Sequence, residues 1–174
     1  MKRIAVLIAD GSEEIETLTP VDVLRRAKAQ VDLISVGKLT VACSRGVVVK
    51  ADKIITEIDP DDYDGVVIPG GMPGATNIAE NKNARELTEE LAGKGKLVAA
   101  ICASPAVALA GWKLTDGKKI TCYPAGGFIG MLSGADYTAK SVETDGNFIT
   151  ADGPRSAMEF ALKICEYLNI SPAF

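Results

Sequence analysis

Four strand-like runs recur along the chain, at residues 4–9 (IAVLIA), 31–36 (VDLISV), 66–68 (VVI) and 97–101 (LVAAI). They are too short for helices and mostly too continuous in apolar character for a strand with one wet face, which is the pattern of strands buried on both sides. Helical periodicity fills most of the gaps. Residues 17–28 place Val21, Leu24 and Ala27 on a common face, residues 83–91 read as an amphipathic surface helix, and residues 106–110 continue a helix after the fourth run. A last helix is predicted over residues 154–168, with Pro154 at its start, where a missing N–H costs nothing. Alternating β and α segments predict an α/β protein with a mostly parallel central sheet and helices on both faces.

Shorter features interrupt the alternation. Residues 39–43 and 47–50 flank Ser44-Arg45-Gly46 as an inserted hairpin, and residues 141–143 and 148–150 flank the turn Thr144-Asp145-Gly146-Asn147. The acidic stretch 54–63 reads as a minor turn over the sheet, residues 119–122 as a further strand, and residues 124–134 as a loose glycine-rich segment. No repeat, linker or low-complexity segment divides the chain, so residues 1–174 are expected to form one domain. At 174 residues and 47 % apolar content it is long enough for a full core.

Charge and composition narrow the chemistry. A net charge of −4 without a basic cluster argues against nucleic acid and against an anionic membrane surface as partners. The apolar start at residues 4–9 ends at Asp10, too short for a signal peptide or a membrane span. Four cysteines, Cys43, Cys102, Cys122 and Cys165, contain no C-x-x-C pair, which fits a reducing, cytoplasmic setting and neither a zinc knuckle nor a dithiol redox motif. There is no histidine. Imidazole-dependent triads and most zinc or non-haem iron sites are thereby excluded, and proton transfer is left to carboxylate, tyrosine, cysteine or water. With no Walker A or dinucleotide fingerprint either, neither a metal nor a cofactor is expected.

Cys102 stands where the run 97–101 stops and Ala103-Ser104-Pro105 opens a helix, with Ser104 as the predicted cap and Pro105 in the first turn. A residue squeezed between a buried strand and a helix start is strained and displays its side chain above the sheet edge, as nucleophiles are displayed. The helix start would favour thiolate, predicting a pKa well below the reference of about 8.5. The alternative is a small apolar core thiol. Two other loops should meet it beyond the carboxyl ends of the strands, residues 10–16 (DGSEEIE) and 69–74 (PGGMPG). The amides of Gly70 and Gly71, with that of Ala103, would form an oxyanion hole, or the glycines simply make a tight turn. Arg155, beside Pro154, is either a pocket cation or a solvated charge at a helix start.

Taken together, Asp10-Gly11-Ser12-Glu13-Glu14-Ile15-Glu16, Cys43-Ser44-Arg45, Ile68-Pro69-Gly70-Gly71, Ala99-Ala100-Ile101-Cys102-Ala103, Asp152-Gly153-Pro154 and Phe160-Ala161-Leu162 resemble, in order and spacing, the ThiJ/PfpI superfamily. The resemblance is greatest to its Parkinson-disease-protein (DJ-one-like) subgroup. It implies a flavodoxin-like three-layer α/β sandwich, a homodimer, a reactive Cys102 and a Glu16 carboxylic acid bonded to the sulfur. It also implies that Arg45 lies near the pocket, from across the dimer interface, and that Tyr123 stands where relatives commonly carry histidine. The superfamily's peptidases have histidine directly after the nucleophile; Ala103 occupies that position here and removes the peptidase reading. Two functions follow from the resemblance. One is a cofactor-free glyoxalase III or deglycase acting on small reactive aldehydes such as methylglyoxal. The other is a redox-sensing or stress-protective protein whose Cys102 is oxidised to sulfinate.

Overall fold

The computed structural model describes residues 1–174. Chain order gives β1 (Arg3–Ile8), α1 (Glu14–Arg26), β2 (Gln30–Ser35), β3 (Thr40–Ala42), β4 (Val48–Lys50), β5 (Lys53–Ile54), β6 (Gly65–Ile68), α2 (Gly74–Ala79), α3 (Lys82–Gly93) and β7 (Leu97–Ile101). It continues with β8 (Lys119–Ile120), α4 (Phe128–Met131), β9 (Asp136–Tyr137), β10 (Val142–Asp145), β11 (Phe148–Ala151) and α5 (Ala157–Leu168). Seven strands pair in the order β10-β11-β7-β6-β1-β2-β5. All are parallel except β10, which returns antiparallel along β11 through the hairpin turn.

The apolar runs are continuous because the sheet has two covered faces. From β1, Ile4, Val6 and Ile8 pack with Val21 and Leu24 of α1 and Phe160 and Ile164 of α5. The alternate residues Ala5, Leu7 and Ala9 pack with Ile78 of α2 and Leu87 and Leu91 of α3. Successive strand side chains point to opposite faces, so one run supplies both interfaces. The result is the three-layer, flavodoxin-like sandwich that the resemblance implies. The polar Asp32 within β2 is matched on one oxygen, Oδ2, by Arg3 Nη2 at 2.9 Å, Lys53 Nζ at 3.2 Å and the buried Tyr63 hydroxyl at 2.7 Å. No helix is long and apolar enough to cross a membrane.

Several boundaries differ from the sequence expectation. Helix α1 starts at Glu14 rather than at residue 17, because the Glu13 carboxylate accepts from the Glu16 amide at 2.8 Å and caps it three residues earlier. Residues 119–122 shrink to the two-residue β8, which pairs in parallel with β9 outside the main sheet. The glycine-rich stretch holds the short helix α4, and the segment after Cys102 is a six-residue π-helical turn, Pro105–Ala110, not an extended α-helix. The acidic stretch forms two 3₁₀ turns, Ile55–Glu57 and Pro60–Asp62.

Candidate active site

Cys102 follows β7 directly and sits at φ 65°, in the left-handed region that a side chain enters at a cost of about 1–3 kcal/mol. Two backbone bonds hold it there. Its amide donates to the Ala151 carbonyl at 2.8 Å, at the end of β11, and its carbonyl accepts from the Tyr123 amide at 2.9 Å. Ser104 is not the expected cap: it has helical φ and ψ, and its buried hydroxyl donates to the Pro69 carbonyl at 2.5 Å. That bond ties the loop after β6 to the elbow.

The loop after β6 has no room for side chains. A Cβ on Gly70 would stand 2.6 Å from Glu16 Oε2 and 2.7 Å from Cys102 Cβ; on Gly71, at φ +85°, it would stand 2.4 Å from the Glu13 nitrogen. This close approach lets α1 present Glu16 to the elbow. The carboxyl is fully buried, and its Oε2 accepts from the Gly70 amide at 2.8 Å. The Gly70 amide is therefore occupied by the carboxylate, which corrects the expectation that it would serve an oxyanion hole. The amides of Gly71 and Ala103 remain, and both act to lower the pKa of the Cys102 thiol.

Glu16 Oε1 is buried with no conventional partner, while the carboxyl is coupled to the Cys102 thiol. Burial raises its pKa to about 7, against the opposing pull of the thiol and the Gly70 amide, with Glu13 adding a smaller upward push. Cys102 is also pushed up, first by burial and then by the charge and hydrogen bond of Glu16; the Ala103 and Gly71 amides oppose this. The expected depressed thiol pKa is thus corrected. The helical segment after Cys102 is short, and a buried carboxylate beside sulfur outweighs it. A thiolate forms readily only when Glu16 holds the proton, so the two groups titrate as a pair.

Glu14, the neighbour of these residues, had no assigned role in the sequence. Its carboxylate accepts from the Arg45 amide at 2.6 Å, the Val47 amide at 3.3 Å and the Ser44 hydroxyl at 3.2 Å. Despite the cost of burial, these donors hold its pKa below the ordinary value. The β3–β4 hairpin tip is thereby clamped over α1. Arg45 and Ser44 then line a cleft of about 360 Å³ that also contains Glu16, Gly71, Cys102, Ala103 and Tyr123. Met72, Phe128, Glu13 and Pro154 complete it. The sequence reading named neither Met72 nor Phe128, and only the fold shows them; the Tyr123 and Phe128 rings meet edge-on at 6.4 Å. Arg155 does not line this cleft. It borders an adjoining one of about 410 Å³, which shares Tyr123 and Pro154 with the first. No group of three or more metal-ligating side chains converges anywhere.

Residues 2–167 match the family model described as the DJ-1/PfpI family. The chain is 40 % identical to the Parkinson disease protein 7 homolog of Danio rerio, over 96 % of this chain and 89 % of that protein. It is 41 % identical to protein DJ-1 homolog B of Arabidopsis thaliana over 94 % of this chain, but spans only 37 % of that longer protein. Among solved structures, oxidized Toxoplasma gondii DJ-1 superposes with a TM-score of 0.91 at 40 % identity, covering 97 % of this chain and 91 % of that one.

Proposed function

The chain belongs to the DJ-1/PfpI family, and we propose that it is a cofactor-free glyoxalase of the glyoxalase III or deglycase type, converting methylglyoxal-like 2-oxoaldehydes to 2-hydroxy acids. The observation that carries this reading is the buried Glu16, with an unpartnered oxygen and a pKa of about 7, coupled to a thiol held at positive φ. A nucleophile and a proton carrier are then adjacent, and the carrier titrates where a general acid or base works best.

In this mechanism the Cys102 sulfur adds to the aldehyde carbon while the thiol proton passes through Glu16 to the carbonyl oxygen, giving a hemithioacetal. The amides of Gly71 and Ala103 take the developing oxyanion. Glu16 next removes the hydrogen on that carbon as a proton and delivers one to the neighbouring carbon through an enediol. The aldehyde carbon is oxidised to a thioester as the ketone is reduced to an alcohol, so no external electron carrier is required. Water cleaves the thioester and returns the thiol. Methylglyoxal plus water gives lactate.

A second reading is favoured by the two amides that favour negative charge on the sulfur and by the partial exposure of Cys102. Two equivalents of peroxide would each give one oxygen to the sulfur, leaving as water, and the resulting sulfinate would be held by those amides and a protonated Glu16. One relative is an oxidized DJ-1. For either reading the proposed unit is one domain of residues 1–174, acting in the cytoplasm as a homodimer, a common state in this family. Lactate formation from methylglyoxal by wild type, Cys102→Ser and Glu16→Gln tests the choice. The glyoxalase reading expects turnover in wild type, none in Cys102→Ser and a loss of roughly 100-fold in Glu16→Gln. Negligible wild-type turnover, with peroxide giving a stable +32 Da product at Cys102, selects the sensor.

A further inference from the structure

The cleft around Cys102 is far larger than a five-heavy-atom aldehyde needs, and it shares Tyr123 and Pro154 with the second cleft, beside Arg155. The Tyr123 ring lies between them against Gly153, where a Cβ would come within 3.2 Å of it. A ligand that reaches past this ring would have its reactive carbonyl at sulfur and its remainder beside Arg155.

Charge identifies the far end of that ligand. Of the six arginines, Arg3, Arg25, Arg26 and Arg85 are each paired with a carboxylate at 2.7–3.0 Å. The two without an ion pair, Arg45 and Arg155, are the ones that border these clefts. Arg45 shares its cleft with Glu13 and Glu16, whereas Arg155 is the one cation of the second cleft and faces a single carboxylate, Asp152. The carboxylate in the second cleft, Asp152, accepts from the Ser156 hydroxyl at 2.5 Å and forms no ion pair with Arg155. Guanidinium donors suit a carboxylate, which they engage through two parallel hydrogen bonds.

We propose that the Arg155 cleft is a specificity subsite for an anionic tail, so that the preferred substrates are 2-oxoaldehydes bearing a carboxylate at the end remote from the aldehyde. This rests on the glyoxalase reading above. The simplest such compound is 4,5-dioxopentanoate. The same internal oxidation and reduction, with addition of one water, turns it into 2-hydroxyglutarate, its distant carboxylate untouched.

The test compares kcat/KM for 4,5-dioxopentanoate and for its neutral methyl ester. Because the result is a ratio within one protein sample, it is independent of the folded fraction. Wild type is expected to favour the acid by about tenfold or more, the value of a charge-assisted hydrogen bond. The preference should fall towards unity in Arg155→Gln, return in part in Arg155→Lys, and shrink with added salt. An equal ratio in wild type and Arg155→Gln overturns the proposal. A second measurement separates its failure from that of the glyoxalase reading: protection of Cys102 from iodoacetamide by 2-hydroxyglutarate, followed by mass. Protection lost in Arg155→Gln supports the subsite even where neither compound turns over. Protection unchanged by the substitution overturns it.

Discussion

Replacing Glu16 by Gln removes a proton-binding group while keeping its length and one hydrogen-bonding oxygen. In the folded protein the carboxyl titrates at about 7, against an ordinary value of 4.5, because burial disfavours its charge. The native state therefore binds this proton more tightly than the unfolded chain does. The stability it confers is complete below about pH 4.5 and is lost as pH rises through about 7. Linkage between those two values gives a loss of about 2–3 kcal/mol from pH 5 to pH 8. Glu14, Asp32 and Glu143 are held below their ordinary values and tilt the curve the other way, but they are present in both proteins and cancel in the difference. Urea titrations of both proteins at several pH values between 5 and 8, with the m value unchanged, measure it directly. The variant should gain on wild type by about 2–3 kcal/mol over that range. A difference independent of pH would refute the buried, protonatable carboxyl, and with it the proton relay assigned to Glu16.

Four further outcomes follow from particular contacts. The pH profile of kcat/KM for methylglyoxal should break close to 7, the titration of the Glu16–Cys102 pair; a profile flat from pH 6 to 8 would exclude that pair as the acid/base. Gly71→Ala forces a Cβ to 2.4 Å from the Glu13 nitrogen at φ +85° and should cost at least about 2–3 kcal/mol, read as a urea midpoint; an unchanged midpoint contradicts the close approach of the two loops. Ser104→Ala leaves the Pro69 carbonyl without its buried donor and should cost about 1–2 kcal/mol, whereas a simple surface serine would cost nothing measurable. Glu14→Gln should cost about 1–3 kcal/mol and speed hydrogen exchange at the Arg45 and Val47 amides, and protection that persists there would show that the hairpin tip is held by something else.

What the sequence disclosed and what it withheld divide along physical lines. The run 97–101 and the step to Cys102 were readable because a strand buried on two faces and a following Pro105 leave local signatures. Period-two division of β1 between two clusters follows from the same pattern. The start of α1 was misplaced by three residues because Glu13 acts as its cap, a role more often taken by Ser, Thr, Asp or Asn. The direction of the Cys102 shift was not readable either. It depends on how deeply Glu16 is buried and on which amides reach which atoms, and these are set by contacts between distant loops, such as the Gly70 amide on Glu16 across 54 residues. Gly70 illustrates the limit: the glycine was visible, but its amide serves the carboxylate rather than a substrate. Arg155 was placed near the pocket from its position beside Pro154, yet it borders a separate, connected cleft, which no local pattern distinguishes.

The bond from the Cys102 amide to the Ala151 carbonyl joins the elbow to a strand that follows it by 49 residues. During synthesis at about 5–20 residues per second, that strand trails the cysteine by roughly 2–10 seconds. Throughout the interval β7 has no β11 beside it, and the register Ile101↔Ala151 that fixes the backbone of Cys102 cannot exist. The emerging thiol is then an ordinary flexible cysteine, with neither the left-handed backbone nor the partly buried setting that couples it to Glu16. Its distinctive chemistry begins only once β11 has been made, so a prematurely ended product lacking β11 carries the same cysteine without its coupling to Glu16.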